Sequence, residues 1–318
     1  MSNNLDAKRH PNSTIQKVQL ILNKQITILD GGMGQELLKR GITGNVALWA
    51  ANALITDPEI VQEIHEDYIK AGADVITTNT YCTTPTRFKR FDLMDRFVEL
   101  NELACQLAQQ ARTKLARPDV QIAGSLPPYF DSYRPDRVRS FEELLPLYKK
   151  QANILAPHVD LLLCETMSTA SEALAAATAA VNTGKPVWVA WTLADEGADH
   201  LRSGETIEQA AAALAHLKID AFLANCCAPE SIAAAMPKLA AIGSQPVGGY
   251  ANGFVAIPSD WVIDQSVDGL GSRTDLDPES YAAYAKEWID TGATIIGGCC
   301  EVGPAHIAQL RTLVDQSV

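Results

Sequence analysis

The stretch ATIIGGCCEVGP, residues 293–304, condenses the rhythm of the whole chain. An apolar run (293–298) ends in two glycines, a turn carries Cys299 and Cys300, and a helical pattern over 303–315 follows. An apolar run without polar alternation suits a strand covered on both faces. Outward from it the same unit recurs. Strands are predicted at 26–30, 74–81, 120–126, 160–166, 186–193, 221–227, 246–250 and 293–298. Helical patterns lie between them at 58–70, 92–115, 141–155, 169–182, 206–217, 229–240 and 278–290. Strict alternation through eight units favours a single (β/α)8 barrel. A doubly wound open sheet is the alternative. No GxGxxG or GxxxxGK[ST] motif follows any of these strands, which weakens its nucleotide-binding versions. The Gly-, Pro- and Asp-rich segment 251–277 reads as an elaborated loop after strand seven, over one barrel mouth. Residues 1–24 read as an N-terminal arm and 25–318 as the barrel domain.

Composition narrows the partners. The 318 residues are 47% hydrophobic and 20% charged, enough for a sizeable core, and the formal net charge is −12. An acidic chain has no electrostatic reason to bind nucleic acid or an anionic membrane, so neither is an expected partner. The polar start lacks the apolar core of a signal peptide, and no run reaches the roughly 20 apolar residues of a membrane span. A cytoplasmic location is expected, and a homo-oligomer is left open. Seven cysteines, two pairs of them adjacent, fit thiol or metal chemistry better than structural disulfides.

In a barrel of this kind the active site lies at the carboxyl ends of the strands. There stand Asp30-Gly31-Gly32, Thr77 to Tyr81, Cys164-Glu165-Thr166, Asn225-Cys226-Cys227, Tyr250-Ala251-Asn252 and Gly297 to Cys300. Cys82, Cys105 and Cys164 read as small core hydrophobes. The thiols of strands six and eight can converge across the mouth. Side chains alternate along a strand, so Cys299 and Cys300 reach one point only if the backbone turns, and Gly297-Gly298 offers that freedom. One cysteine of the pair on strand six completes a set of three. Three thiolates repel one another without a cation, and zinc suits soft ligands in tetrahedral geometry. Three protein ligands leave an open position, the mark of a catalytic site. His306 is placed away from the mouth by its helical offset.

These residues resemble the homocysteine S-methyltransferases, zinc-dependent thiol methyltransferases built on a (β/α)8 barrel. The resemblance rests on LDGGMGQELLKRG (29–41), LWAANALITDPEIVQEIHEDYIKAGADVITTNTY (48–81), AGSLPPY (123–129), LLCET (162–166), NCC (225–227), YAN (250–252) and IIGGCCEVGPAHI (295–307). It implies that Cys226, Cys299 and Cys300 bind zinc and that Cys227 does not. It implies a homocysteine site of Asp30, Gly31, Thr78 and Glu165, the two carboxylates suiting the amino group. Asn252 matches a position near the metal that fills the open site when substrate is absent.

The implied chemistry uses no catalytic side chain beyond a zinc-activated substrate thiol. A free thiol is only a few per cent ionised at neutral pH, and metal coordination deprotonates it. Three cysteinates leave the zinc centre electron-rich, so a bound sulfur stays nucleophilic. The pattern LWAANAL and the chain length look like the users of S-methylmethionine or S-adenosylmethionine. A betaine-type donor or another thiol acceptor is the alternative, although Cys82 stands where betaine users have a tyrosine. A cationic donor would be held by aromatic faces, for which Trp49, Tyr81, Tyr129, Phe130, Tyr133 and Trp191 are candidates. A zinc-dependent lyase or hydrolase and a non-catalytic zinc or thiol sensor are the competing readings.

Overall fold

The computed structural model describes residues 26–42, 48–195, 197–262 and 267–316. The expected N-terminal arm, 1–24, lies outside these residues. Eight parallel strands are β1 (Thr27–Ile28), β2 (Val75–Thr77), β3 (Gln121–Leu126), β4 (Leu161–Met167), β5 (Val187–Trp191), β6 (Ala221–Asn225), β7 (Val247–Ala251) and β8 (Ile295–Gly298). They lie in the order β1-β8-β7-β6-β5-β4-β3-β2. The ends of that order meet, because Leu29 bridges Val75 in parallel and the Asp30 N–H donates to the Val75 carbonyl at 3.0 Å. The sheet therefore closes, and the fold is the (β/α)8 barrel that the alternation predicts.

The helices are α1 (Met33–Lys39), α2 (Ala53–Thr56), α3 (Pro58–Lys70), α4 (Pro85–Arg90), α5 (Phe97–Lys114), α6 (Phe141–Leu155), α7 (Ala170–Val181), α8 (Ile207–Ala213), α9 (Pro229–Ala241), α10 (Pro278–Thr291) and α11 (Pro304–Asp315). Helices α3 and α6 match their predicted spans. The short α1, α2 and α4 are absent from the predicted set, since each is too brief to show a helical period. The Thr84-Pro85 start of α4 is a local signal for one: Pro85 is the first helical residue, and the Thr84 hydroxyl accepts from the Arg87 N–H. The predicted strand 74–81 is only Val75–Thr77, because the chain turns once the Thr80 N–H bonds back to the Thr78 carbonyl at 2.7 Å. None of the described helices is long and apolar enough to cross a membrane.

Strand alternation sorts the side chains. Leu29, Val75, Ala123, Leu161, Leu163, Ala190, Ala221, Leu223, Tyr250 and Ile295 fill the barrel interior, while Leu162, Cys164, Phe222 and Ile296 pack outward against the helices. The inward row of β4, Leu161 and Leu163, continues to Glu165. That of β8, Ile295, continues through Gly297 to Cys299. Parity thus delivers one carboxylate and one thiol to the mouth.

At the opposite rim three aspartates fasten the ladder. Asp74, Asp160 and Asp220 each immediately precede an even-numbered strand. The backbone N–H of each donates to the carbonyl of one residue on the odd-numbered strand beside it, and its carboxylate accepts that same residue's N–H. The residues so held are Ile28, Ile122 and Val187, at 2.7–2.9 Å. Before β8 the same place is Thr294, which keeps the backbone bond to Val247 but lacks a carboxylate. Removing one clamp strands a donor inside the ladder, at a cost of about 1–3 kcal/mol. Asp220→Ala should therefore lower unfolding stability by about that amount in a denaturant titration. Metal content should be unchanged, because Asp220 lies at the far end of β6 from Cys226.

Candidate metal and substrate site

At the carboxyl ends of the strands one cavity of about 130 Å³ is lined by Asp30, Gly31, Thr78, Glu165, Cys226, Cys299 and Cys300 together. The three thiol sulfurs lie within 4.8 Å of one another. Cys226 and Cys299 approach to 2.7 Å. A tetrahedral zinc with Zn–S bonds of about 2.3 Å holds sulfurs about 3.8 Å apart, so Cys226 and Cys299 would have to part by about 1 Å to take such an ion, while all three already lie close enough to share one.

The two strand ends reach this point by different means. Cys299 arrives by parity. Cys226 does not, because Ala221, Leu223 and Asn225 share the inward row of β6. Its backbone is left-handed (φ 50°), and that twist swings the sulfur into the mouth. The Asn225 side chain secures the neighbouring turn: its Oδ1 accepts from the Thr166 N–H at 2.8 Å and its Nδ2 donates to Thr166 Oγ1 at 3.0 Å. Thr166 is itself left-handed (φ 61°), a costly conformation for a β-branched residue. The Asn before Cys226 is thus a clasp between β4 and β6.

The glycines of β8 have another purpose than the predicted one. Neither Gly297 nor Gly298 has a positive φ; the left-handed residue of this turn is Glu301 (φ 67°). A Cβ on Gly298 would lie 2.0 Å from Val302 Cγ1, and one on Gly297 2.5 Å from Leu29 Cβ. They are small so that β8 can close against the following turn and against the end of β1.

Within the cluster, burial opposes ionisation of Cys226. Hydrogen bonds from Cys299, Cys300 and Tyr133 outweigh it and hold this thiol well below the usual range. Cys299 and Cys300 are held above it, first by their hydrogen bonds to Cys226. The three thiols thus titrate as one coupled set, in which Cys226 is the one most readily ionised. Cys227 turns into the outer core, where burial pushes its thiol up to about 12. Cys82, Cys105 and Cys164 are likewise core residues.

The carboxylates are buried, and among the described residues no cation pairs with them. Asp30 accepts from the Thr77 N–H at 2.7 Å and the Thr77 hydroxyl at 3.0 Å. Desolvation dominates nonetheless and raises it to about 8. Glu165 accepts from Ser125 Oγ and, at 3.1 Å, from the Tyr250 hydroxyl. Burial raises it to about 7. No lysine or arginine is among the described residues that line this cavity. Thr78 is held by its neighbours, its hydroxyl 2.8 Å from that of Thr80. Asn252 is buried beside the site but does not line the cavity. Its Oδ1 accepts from the Phe254 N–H at 3.2 Å, and its Nδ2 has no partner among the described residues.

A roof of Tyr133, Phe254, Ile257, Trp261 and Leu270 packs over the thiols. Most of it comes from the loop after β7. Tyr133 is left-handed (φ 65°), and its hydroxyl lies 2.9 Å from Cys226 Sγ. Burial, then the charge on Cys226, hold its phenol far above the usual range, so Tyr133 keeps its proton and is the donor. Behind it the Arg202 guanidinium lies 4.9 Å from the ring centre and pairs with Asp195 at 2.9 Å. Arg202 also reaches Thr192, whose hydroxyl donates to the Cys226 carbonyl. Sequence reasoning names Tyr133 only as a packing or cage residue and misses Ser125, Arg202 and Trp261; nothing local in the chain marks them. Of the other aromatic candidates, Tyr81 lines the cavity, whereas Trp191 stacks on Phe222 and Tyr129 on Tyr148. Phe130 lies partly buried against the outer core. The Trp49 side chain lies outside the described residues.

The family model for homocysteine S-methyltransferase matches residues 27–314. Homocysteine S-methyltransferase of Escherichia coli is 32% identical over 314 residues, covering 92% of this chain and 97% of the relative. Selenocysteine methyltransferase of Astragalus bisulcatus is 28% identical, over 91% of this chain and 92% of its own. The crystal structure of the E. coli homocysteine methyltransferase MmuM in its metallated form superposes with a TM-score of 0.77 at 30% identity, covering 92% of this chain and 98% of the other. With the match spanning nearly the whole barrel, the chain belongs to the homocysteine S-methyltransferase family.

Proposed function

We propose that this methyltransferase moves a methyl group from a sulfonium donor, S-methylmethionine or S-adenosylmethionine, to the thiol of L-homocysteine, giving methionine. Cys226, Cys299 and Cys300 would hold zinc. The observation that carries this reading is the convergence of three thiols and two buried carboxylates on one cavity with no lysine or arginine among the described residues that line it. Such a cavity selects cations: a metal ion, the ammonium of an amino acid and an onium methyl donor.

Zinc bound by the three thiolates would leave a position for the homocysteine sulfur and keep that sulfur deprotonated at neutral pH. Asp30 and Glu165 receive the substrate ammonium, whose charge compensates the desolvation that raises both carboxyls. Ser125 and Tyr250 orient Glu165. Tyr133 donates to Cys226 and draws charge from that sulfur, while the roof excludes water. In the transfer, a lone pair of the homocysteine sulfur forms the new S–CH3 bond. The donor's S–CH3 bond breaks with its electron pair going to the sulfonium sulfur, so donor and product both end as neutral thioethers. No general acid or base is needed at the methyl carbon.

Three measurements test this. Metal analysis of Cys226→Ala and Cys299→Ala should show zinc lost from both, with methionine formation abolished; full retention in both would sink the site as drawn. Zinc titration of the apo protein near neutral pH should release protons, because Cys299 and Cys300 are held above the usual thiol range and must ionise to bind the metal; titration without proton release would mean that these thiols do not take it. Glu165→Gln should raise the KM for homocysteine and stabilise the metal-free protein at pH 8, by up to about 3 kcal/mol. The sign follows from a folded pKa raised above its unfolded value. The protonated form's stability is present below about 4.5 and is lost as pH rises through about 7. The uncharged amide of the variant escapes that loss, so the gap between variant and wild type should close below pH 4.5. Thermal unfolding across this range reads it.

A further inference from the structure

A second cavity, of about 300 Å³, adjoins the first and shares two of its lining residues, Tyr81 and Ser132. Their hydroxyls are 2.6 Å apart, so this pair marks the boundary that the two spaces share. The charge on the two sides is opposite. The first cavity presents thiols and carboxylates. The second is lined by the guanidinium-bearing Arg87, Arg90 and Arg137 against one carboxylate, Asp131. In a chain of net charge −12 this is a local reversal of sign.

The second cavity is assembled from two segments. Arg87 and Arg90 stand three residues apart on α4, on one face of the helix. Asp131, Ser132 and Arg137 come from the segment after β3. The Thr86 hydroxyl donates to the Tyr129 carbonyl and ties the two together. Arg137 pairs with Asp131 at 2.5 Å, and Arg87 and Arg90 have partners of their own, so the arginines are held in place. Aromatic edges complete the walls: the Arg90 guanidinium lies 5.6 Å from the centre of the Phe91 ring, and that of Arg139 5.2 Å from that of Phe130.

We propose that this second cavity is the carboxylate subsite of the methyl donor, taking the anionic end of a zwitterionic onium compound whose cationic end reaches past the Tyr81–Ser132 pair into the first cavity. The inference rests on the reading of the first cavity as the methyl-transfer site. Space supports it: two substrates must be present at once, and the adjoining cavity offers room beside the first. Electrostatics supports it as well. A molecule with a positive sulfonium and a negative carboxylate lowers its energy by placing the first at the anionic cluster and the second at the guanidiniums, so the charge reversal orients the methyl group toward the acceptor. Planar guanidiniums grip a carboxylate in a two-pronged fashion that lysines cannot match.

The test compares two donors in the zinc-loaded enzyme: S-methylmethionine, which carries a carboxylate, and trimethylsulfonium, which does not. Arg90→Gln/Arg137→Gln should raise the KM for S-methylmethionine about tenfold or more. It should leave zinc content and the homocysteine KM unchanged, and turnover with trimethylsulfonium unaltered. Equal losses with both donors, or no loss with S-methylmethionine, would overturn the subsite. Calorimetric binding of S-methylmethionine separates the two readings. Binding by the wild type that the double variant loses, without methionine formed by either, would keep the subsite and remove the methyl-transfer reading. Binding that survives the double variant, or absent binding and turnover in the wild type, removes the subsite.

Discussion

Negative charge confined in a water-poor space governs this molecule. Three sulfurs within 4.8 Å of one another and two carboxyls buried nearby cannot all be ionised in the absence of cations. In the empty protein the charge retreats: two thiols keep their protons, and Asp30 and Glu165 are raised to about 8 and 7. Each retreat marks a place where an incoming cation is repaid by ionisation of the group that receives it. Affinity for metal, ammonium and onium thus has a common origin in desolvation, and the barrel supplies that desolvation by surrounding the mouth with packed aromatic and aliphatic groups.

Backbone strain serves the same end. Among the described residues six other than glycine have positive φ, and four of them, Tyr133, Thr166, Cys226 and Glu301, ring the thiol cluster. Each turns a side chain or a strand end away from the direction that alternation dictates. Such conformations persist only when the surroundings over-determine them. Here the surroundings are the Asn225 clasp, the Arg202–Asp195 pair behind Tyr133 and the close passage of Gly298 by Val302. At the far rim, aspartate clamps before three even strands fasten the ladder.

The two cavities divide the work by sign. One is anionic and roofed, the other is rich in arginine and opens beside it, and a pair of hydroxyls marks the boundary they share. A dipolar substrate laid across that boundary is oriented by the field before any specific contact is made. Arg202, by contrast, faces the aromatic ring of Tyr133 and an aspartate, so its charge supports the roof without neutralising the cavity.

Much of this was legible in the chain itself. Apolar runs alternating with helical periods determine the barrel, because strands covered on both faces must read as uninterrupted apolar segments. Asn225-Cys226 and Gly297-Gly298-Cys299-Cys300 mark the thiol site at strand ends, since thiols and polar groups there have no structural reason to gather. Tertiary structure alone decided the rest. That Cys226 and not Cys227 turns inward depends on φ at Cys226, and the two glycines are small because of distant neighbours, Leu29 and Val302. The Asp clamps and the Tyr133 donor join residues from 33 to 93 positions apart, and the opposed cavities draw on still more distant segments. Local pattern reports the period and composition of a segment; contact, burial and field arise only when the barrel closes and brings separate strand ends to one rim.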